Sequence, residues 1–155
     1  MCVVADPPTM IPMFKVTDPE HIEFAPVRDW VLNGKGKFII GGSKYKTELL
    51  AITSILPILK ELERRGKIVR RADDEVDAEV AAVKLIEPTN DFDDPHLVAL
   101  IRLTGCKLIC VRDPRSHRFL RSVKLYHTSS DRPKLYTKAK NITLLCQANI
   151  KACCR

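Results

Sequence analysis

Short apolar runs alternate with amphipathic helical patterns along the whole chain. CVVA at 2–5 and KFII at 37–40 are two such runs, and each is closed at once, the first by two prolines and the second by two glycines. The segments between the runs carry apolar residues at three- and four-residue spacing, which indicates helices. Strands that alternate with helices are typical of crossover connections. The sequence therefore predicts a three-layer α/β/α sandwich around a mostly parallel sheet.

The pattern divides the chain into five strands and six helices. The predicted strands are 2–6, 37–40, 68–71, 107–112 and 141–146. The predicted helices are 17–33, a segment capped by Ser43 that carries Leu49 and Ile52, 54–65, 73–86, 95–103 and 115–123. The polar stretch 127–140 has neither pattern and is predicted to be a loop. We expect one domain over 1–147 and a short C-terminal tail over 148–155.

The composition is that of an ordinary globular domain. The chain has 155 residues, of which 45% are hydrophobic and 29% charged, enough for one packed core. No apolar run approaches the roughly 18 residues of a membrane helix, and the first residues lack the basic flank of a signal peptide. We therefore expect a soluble, cytoplasmic protein. The six cysteines form no CxxC pair, so we expect reduced thiols rather than a zinc site or a disulfide framework.

The charges are distributed unevenly along the chain. The formal net charge is +7, and the stretch from Arg102 to Lys140 has eleven Lys or Arg against two acids. In contrast, the stretch from Asp73 to Asp94 has nine acids against Lys84 alone. A basic surface of this kind favours a polyanionic partner. The alternative is a solvated acidic helix next to a solvated basic surface.

Four acidic residues can reach one edge of the predicted sheet. Asp6 directly follows the run CVVA and Asp113 follows the strand LICVR, while Glu48 and Asp94 lie at or near helix starts. Ligands of open parallel sheets collect beyond the carboxyl ends of the strands, so four carboxylates from four segments can converge there. Such a cluster is costly unless a divalent cation neutralises it, and Mg²⁺ or Mn²⁺ is the usual ion. The chemistry that this suggests is phosphodiester hydrolysis.

The order of these motifs resembles the PIN domain, a family of metal-dependent ribonucleases that includes the toxins of bacterial toxin–antitoxin pairs. The resemblance is carried by CVVAD, the Glu48 helix and DDPHLVALIRLTGCKLICVRD, and it covers nearly the whole chain in element order. It implies catalytic roles for Asp6, Glu48, Asp94 and Asp113, with Asp6, Asp94 and Asp113 as metal ligands. It also implies a homodimer and an antitoxin protein as partner.

The preferred hypothesis is therefore a Mg²⁺- or Mn²⁺-dependent endoribonuclease. Five basic residues are expected to border its acidic pocket and to bind the phosphates of RNA: Lys44, Lys46, Arg112, Arg115 and Arg118. Pro7 and Pro8 stand where the family commonly has small, polar or hydroxyl-bearing residues. A PIN-like module that binds RNA or protein without cutting it is for this reason the alternative.

Individual residues also have simpler interpretations. Asp94 precedes a proline and is a natural helix N-cap. Asp113 can simply begin the turn DPRS, and Glu48 taken alone is an ordinary helix residue. His96 and His117 lie near the predicted pocket, but each is expected on a helix surface.

Overall fold

The computed structural model describes residues 2–149 and contains a five-stranded sheet in which all strands are parallel. The strands are β1 (Cys2–Ala5), β2 (Lys37–Ile40), β3 (Ile68–Arg70), β4 (Leu108–Cys110) and β5 (Lys134–Tyr136), and their order is β3-β2-β1-β4-β5. The α-helices are α1 (Met10–Phe14), α2 (His21–Asn33), α3 (Ser43–Ala51), α4 (Leu56–Arg64), α5 (Asp73–Ile86), α6 (Pro95–Thr104) and α7 (Pro114–Leu120). The chain has the predicted three-layer α/β/α architecture.

The central strand β1 is buried along its whole length between β2 and β4. A strand covered on both faces needs an uninterrupted apolar sequence, which explains why CVVA does not alternate with polar residues. The chain leaves β1 toward β2 and β3 and later returns to β4 on the other side of β1. The direction of the connections therefore reverses between β1 and β4. The crevice at such a reversal is where parallel sheets bind ligands.

Helices cover both faces of the sheet. Because crossovers between parallel strands are right-handed in nearly all proteins, the strand order implies that α1 to α4 lie on one face and α5 to α7 on the other. The helix α6 packs against both β1 and α5, and every residue from Pro95 to Ile101 is buried. A helix enclosed in this way needs apolar residues on all sides, which the run LVALI supplies.

Gly42 makes the sharp turn from β2 into α3. Its φ is +89°, a backbone conformation that other residues rarely adopt, and a Cβ at this position would lie 2.6 Å from Cγ1 of Val76. Ser43, predicted as the N-cap, is instead the first residue of α3, and Gly42 is the N-cap. The hydroxyl of Ser43 donates to Oδ2 of Asp77 at 2.5 Å, which ties α3 to α5. The first turn of α3 is thereby fixed at the carboxyl end of the sheet.

Two predictions for the C-terminal part of the chain are wrong. The segment 141–146 is not a strand, because Ala139–Leu144 forms a 3₁₀ helix. The fifth strand is β5, which lies in the stretch predicted to be a loop. Oδ1 of Asn141 accepts hydrogen bonds from the backbone N–H and the hydroxyl of Thr137, so the chain turns directly after β5. The predicted tail 148–155 lies largely outside the described residues.

The cysteines differ in their surroundings. The thiol of Cys106 donates to the carbonyl of Cys2 at 3.2 Å, and complete burial raises the pKa of the Cys110 thiol. Cys146 is an exposed, free thiol. Cys2 is disulfide-bonded, so the prediction of reduced thiols is wrong for that residue.

Within residues 2–149, no helix has both the length and the apolar character needed to span a membrane.

Candidate active site

Asp6 is a buried carboxylic acid at the carboxyl end of β1. Its backbone N–H donates to the carbonyl of Cys110 at 2.9 Å, which holds the residue where β1 meets β4. The residue is only 7% exposed, and Oδ2 accepts a hydrogen bond from the Thr9 hydroxyl at 3.2 Å. Burial and the nearby Asp94 raise the pKa of Asp6 to about 7; Glu48 also raises it, and the Thr9 hydrogen bond opposes the rise.

Thr9 supplies a hydroxyl next to Asp6 in spite of the two prolines. Pro7–Thr9 forms a 3₁₀ turn, which brings Thr9 back toward the end of β1. Its hydroxyl oxygen also accepts a hydrogen bond from the backbone N–H of Arg112 at 3.2 Å, beyond the end of β4. A hydroxyl-bearing residue therefore does accompany Asp6, three positions later in the chain. The turn made by the two prolines is what delivers it.

Asp94 stands at the N-cap position of α6, but its side chain makes no capping hydrogen bond. Burial raises the pKa of Asp94, and the negative charge of Glu48 adds to the rise, whereas His96 and Lys44 oppose it. A carboxylate that is not used to cap its own helix is available to a ligand. Asp94 therefore fits the predicted site role better than the simple cap.

Glu48 projects from α3 between a lysine and a histidine. Nζ of Lys44 lies 3.6 Å from Oε1, and Nε2 of His96 lies 3.4 Å from Oε2. Burial by itself raises the pKa of Glu48, but His96 and Lys44 outweigh it, and the net pKa is lowered. Glu48 therefore remains ionised at neutral pH beside Asp6 and Asp94. The structure brings three of the four predicted acids within electrostatic reach of one another.

Asp113 does not join this group. It is the N-cap of α7, and its carboxylate accepts hydrogen bonds from the backbone N–H of Arg115 at 2.9 Å and from Nη2 of the same residue at 2.7 Å. These bonds from Arg115 lower the pKa of Asp113. The carboxylate is satisfied by its own helix, so the turn-forming interpretation fits Asp113 better than that of a metal ligand.

Replacing Asp113 by Ala is expected to reduce the free energy of unfolding by about 1 kcal/mol, the usual effect of losing an N-cap. Cation binding should not change, because the carboxylate faces Arg115 rather than the other acids. Urea denaturation and a Mn²⁺ titration of one preparation check both statements. Asp113→Asn keeps an acceptor oxygen and should lose less stability. Weakened Mn²⁺ binding in both variants would contradict the assignment as a cap.

Each of the five basic residues predicted to bind RNA forms an ion pair. The pairs are Lys44–Glu48, Lys46–Asp73, Arg112–Glu20, Arg115–Asp113 and Arg118–Asp91. All five lie at least partly in solvent, where an ion pair contributes only about 0–1 kcal/mol, so phosphate can replace the acid at little cost. Arg112 lowers the pKa of Asp6, and Lys44 lowers that of Asp94. The positive charges of Arg112 and Lys44 therefore lie close to the acidic residues of the site.

Arg115 and Arg118 line a groove of about 490 Å³ that also includes Asp93, the neighbour of Asp94. The guanidinium of Arg118 lies 4.5 Å from the centroid of the Phe119 ring, which stabilises its position. Lys46 lines a different cavity, between α3 and the end of β3. Four of the five predicted cations therefore border the acids or the adjacent groove, and Lys46 does not.

The three acids have the charge and the oxygen donors that Mg²⁺ and Mn²⁺ prefer. Within the described range 2–149, no group of three or more His, Cys, Asp or Glu side chains is already arranged to hold a metal ion. The fit is therefore one of charge and donor type. A cation would reverse the rise in pKa of Asp6 and Asp94, since it favours their ionised forms.

His96 is a residue of this site that the sequence pattern placed on a helix surface. It is fully buried; Nδ1 has no hydrogen-bond partner, and Nε2 lies 3.4 Å from Oε2 of Glu48 without forming a well-aligned hydrogen bond. The signal that could have found it is the run LVALI directly after it, which marks α6 as enclosed on all sides. A histidine in the first turn of such a helix is buried with it.

No protein-family model matches this chain, and comparison with curated proteins gives no significant match.

Proposed function

We propose that this chain is a PIN-like, Mg²⁺- or Mn²⁺-dependent endoribonuclease with Asp6, Glu48 and Asp94 in its active site. One observation carries the proposal: Asp6 lies at the carboxyl end of the central strand, and burial, Asp94 and Glu48 together raise its pKa to about 7. Gathering acids in a buried crevice costs stability, and strongly shifted pKa values of this kind concentrate at functional sites. The crevice between β1 and β4 is also where this class of sheet binds ligands.

Different residues of the chain would bind the cation and the RNA. Asp6 and Asp94 would hold the cation, and Glu48 completes the acidic set. Such a cation, when bound, lowers the pKa of a water and stabilises negative charge on a phosphate. Arg112 and Lys44 flank the acids, and the groove lined by Arg115 and Arg118 fits the next phosphates of an RNA strand. Neither Asp113 nor Lys46 has a part in this proposal.

The biological setting is proposed on the resemblance to PIN domains alone. It comprises a toxin function in a toxin–antitoxin pair, an antitoxin partner, a homodimer and a cytoplasmic location. RNA as substrate has the additional support of the basic stretch from Arg102 to Lys140.

A module that binds RNA or protein without cutting it is the second candidate. It is favoured by the engagement of Asp113 with Arg115, which removes the fourth predicted acid from the site. The ion pair between Lys44 and Glu48 further reduces the negative charge available to a cation. A binding module needs neither full charge nor a complete ligand set.

Cleavage of single-stranded RNA in the presence of Mn²⁺ tests the two candidates. The wild-type protein is expected to cleave, and Asp94→Asn is expected to be at least about a hundredfold slower, the usual scale for removing an electrostatic catalytic group. Asp113→Asn makes the same charge change outside the cluster and should cleave at the wild-type rate. Equal cleavage by wild type and Asp94→Asn would indicate a contaminating nuclease and remove the proposal. RNA binding without cleavage would select the module.

A further inference from the structure

His96 is a buried polar side chain without a well-aligned hydrogen bond, and it lies beside Glu48 of the acidic site. It is the second residue of α6, and its ring and that of Tyr45 pack in a T-shaped arrangement, with 6.0 Å between centroids. Nδ1 has no partner, and Nε2 makes no well-formed hydrogen bond. Buried polar atoms are nearly always satisfied, so a histidine left in this state calls for a partner within reach.

A carboxylate oxygen of Glu48 lies close to this ring. Nε2 of His96 lies 3.4 Å from Oε2, slightly longer than an ordinary hydrogen bond, and Lys44 approaches the other oxygen at 3.6 Å. The pair is close enough for a weak hydrogen bond but poorly aligned, so a small reorientation of the carboxylate would complete an N–H···O bond. Hydrogen bonds of this kind are often long without a ligand and tighten when it binds.

Glu48 needs such support more than the other two acids. Asp6 is held by the Thr9 hydroxyl, and Asp94 has a short side chain directly before the buried first turn of α6. Glu48 has a longer side chain that is 29% exposed, and Lys44, its other partner, is itself 46% exposed. An exposed lysine holds a carboxylate weakly, so the buried imidazole is the rigid contact.

We propose that His96 is a positioning residue that donates Nε2–H to Glu48 and holds its carboxylate toward Asp6 and Asp94. The inference rests on the proposed function, since the ligand that these three carboxylates would bind is a divalent cation. Replacing a group that orients a metal-binding carboxylate typically weakens the affinity for the metal by about 10- to 100-fold. His96 itself does not bind the cation.

Mn²⁺ binding by the full chain, measured by isothermal titration calorimetry without RNA, tests this role. His96→Leu fills the buried space but removes the donor, and it is expected to weaken Mn²⁺ binding by about tenfold or more. His96→Gln places an amide N–H where Nε2 lies and should restore most of the affinity. In a Glu48→Gln background, His96→Leu should have no further effect, because the carboxylate that it positions is gone. Thermal unfolding of each variant establishes that it is folded.

The outcomes separate the inference from the function on which it rests. Wild-type affinity in a folded His96→Leu would overturn the positioning role alone. An equal loss in the wild-type and Glu48→Gln backgrounds would also overturn it, because the two residues would then act independently. A changed preference between Mg²⁺ and Zn²⁺ in His96→Leu would make the imidazole a direct ligand instead. No Mn²⁺ binding by the wild-type protein would overturn the proposed function together with the inference.

Discussion

Asp6→Asn is expected to make the metal-free protein more stable by about 4 kcal/mol at pH 8, even though it removes a residue of the proposed active site. The pKa of Asp6 rises from 3.8 to about 7 on folding, mainly through burial and then through Asp94. At about 1.4 kcal/mol for each pKa unit, ionised Asp6 therefore costs the folded state about 4 kcal/mol. Asparagine has nearly the same shape, carries no charge and can still accept the hydrogen bond from Thr9.

The expected gain depends on pH with a definite sign. Between about pH 4 and pH 7 the folded protein holds the Asp6 proton and the unfolded chain does not, so the wild-type protein loses stability as the pH rises through this window. The difference between wild type and Asp6→Asn should be small near pH 4 and complete by pH 8. Urea denaturation in EDTA at several pH values measures it. The exposed Asp74 provides a control for the charge change, since Asp74→Asn removes a carboxylate that lies in solvent and should not stabilise the protein as Asp6→Asn does. If the free energies of unfolding of wild type and Asp6→Asn changed equally between pH 4 and pH 8, Asp6 would not be a buried group with a raised pKa.

Mn²⁺ is expected to raise the melting temperature of the wild-type protein and not that of Asp6→Asn. A ligand at about 100 times its dissociation constant stabilises the folded state by about 2.7 kcal/mol, which is roughly 5–10 °C for a domain of this size. The shift should be larger at pH 8 than at pH 6, because a cation has to displace the proton of Asp6.

The control for this measurement is again Asp113→Asn, which should keep the full shift because its carboxylate is bound to Arg115. Thermal unfolding with increasing MnCl₂ provides the data. An identical shift in Asp6→Asn and wild type would show that Mn²⁺ binds elsewhere, and the proposed site would have to be abandoned.

The sequence predicts strongly patterned elements well and short ones poorly. The bounds of β2 and α5 are predicted to the residue, because an apolar run ended by two glycines and an acidic helix start are unambiguous local signals. The last strand is misplaced because β5 has only three residues in a polar region, and pairing with β4 forms it. The segment NITLLC is more apolar than β5, but most of it belongs to a 3₁₀ helix. Asn141 in this helix accepts a hydrogen bond from the Thr137 hydroxyl. Tertiary pairing overrides local pattern here.

The candidate site shows the same limit. Asp94 and Asp113 both follow the pattern Asp-Pro at a helix start, and nothing local distinguishes them. The structure separates them by surroundings: Arg115 satisfies Asp113, whereas Asp94 is buried beside Lys44, His96 and Glu48. The role of Thr9 depends on a turn, and that of His96 on the enclosure of α6. Such roles follow from packing in three dimensions and have no short sequence signature.

The sheet order has a consequence for how the chain reaches its native state. The strand β1 lies between β2 and β4, and β4 follows it more than a hundred residues later in the sequence. Contacts this far apart in sequence form late and slowly. Pairing of β1 with β4 joins the two halves of the sheet. The same step holds Asp6 near the negative charges of Asp94 and Glu48, because the backbone N–H of Asp6 donates to the carbonyl of Cys110. Electrostatic repulsion therefore opposes the final closure, and protons or cations that neutralise the carboxylates favour it.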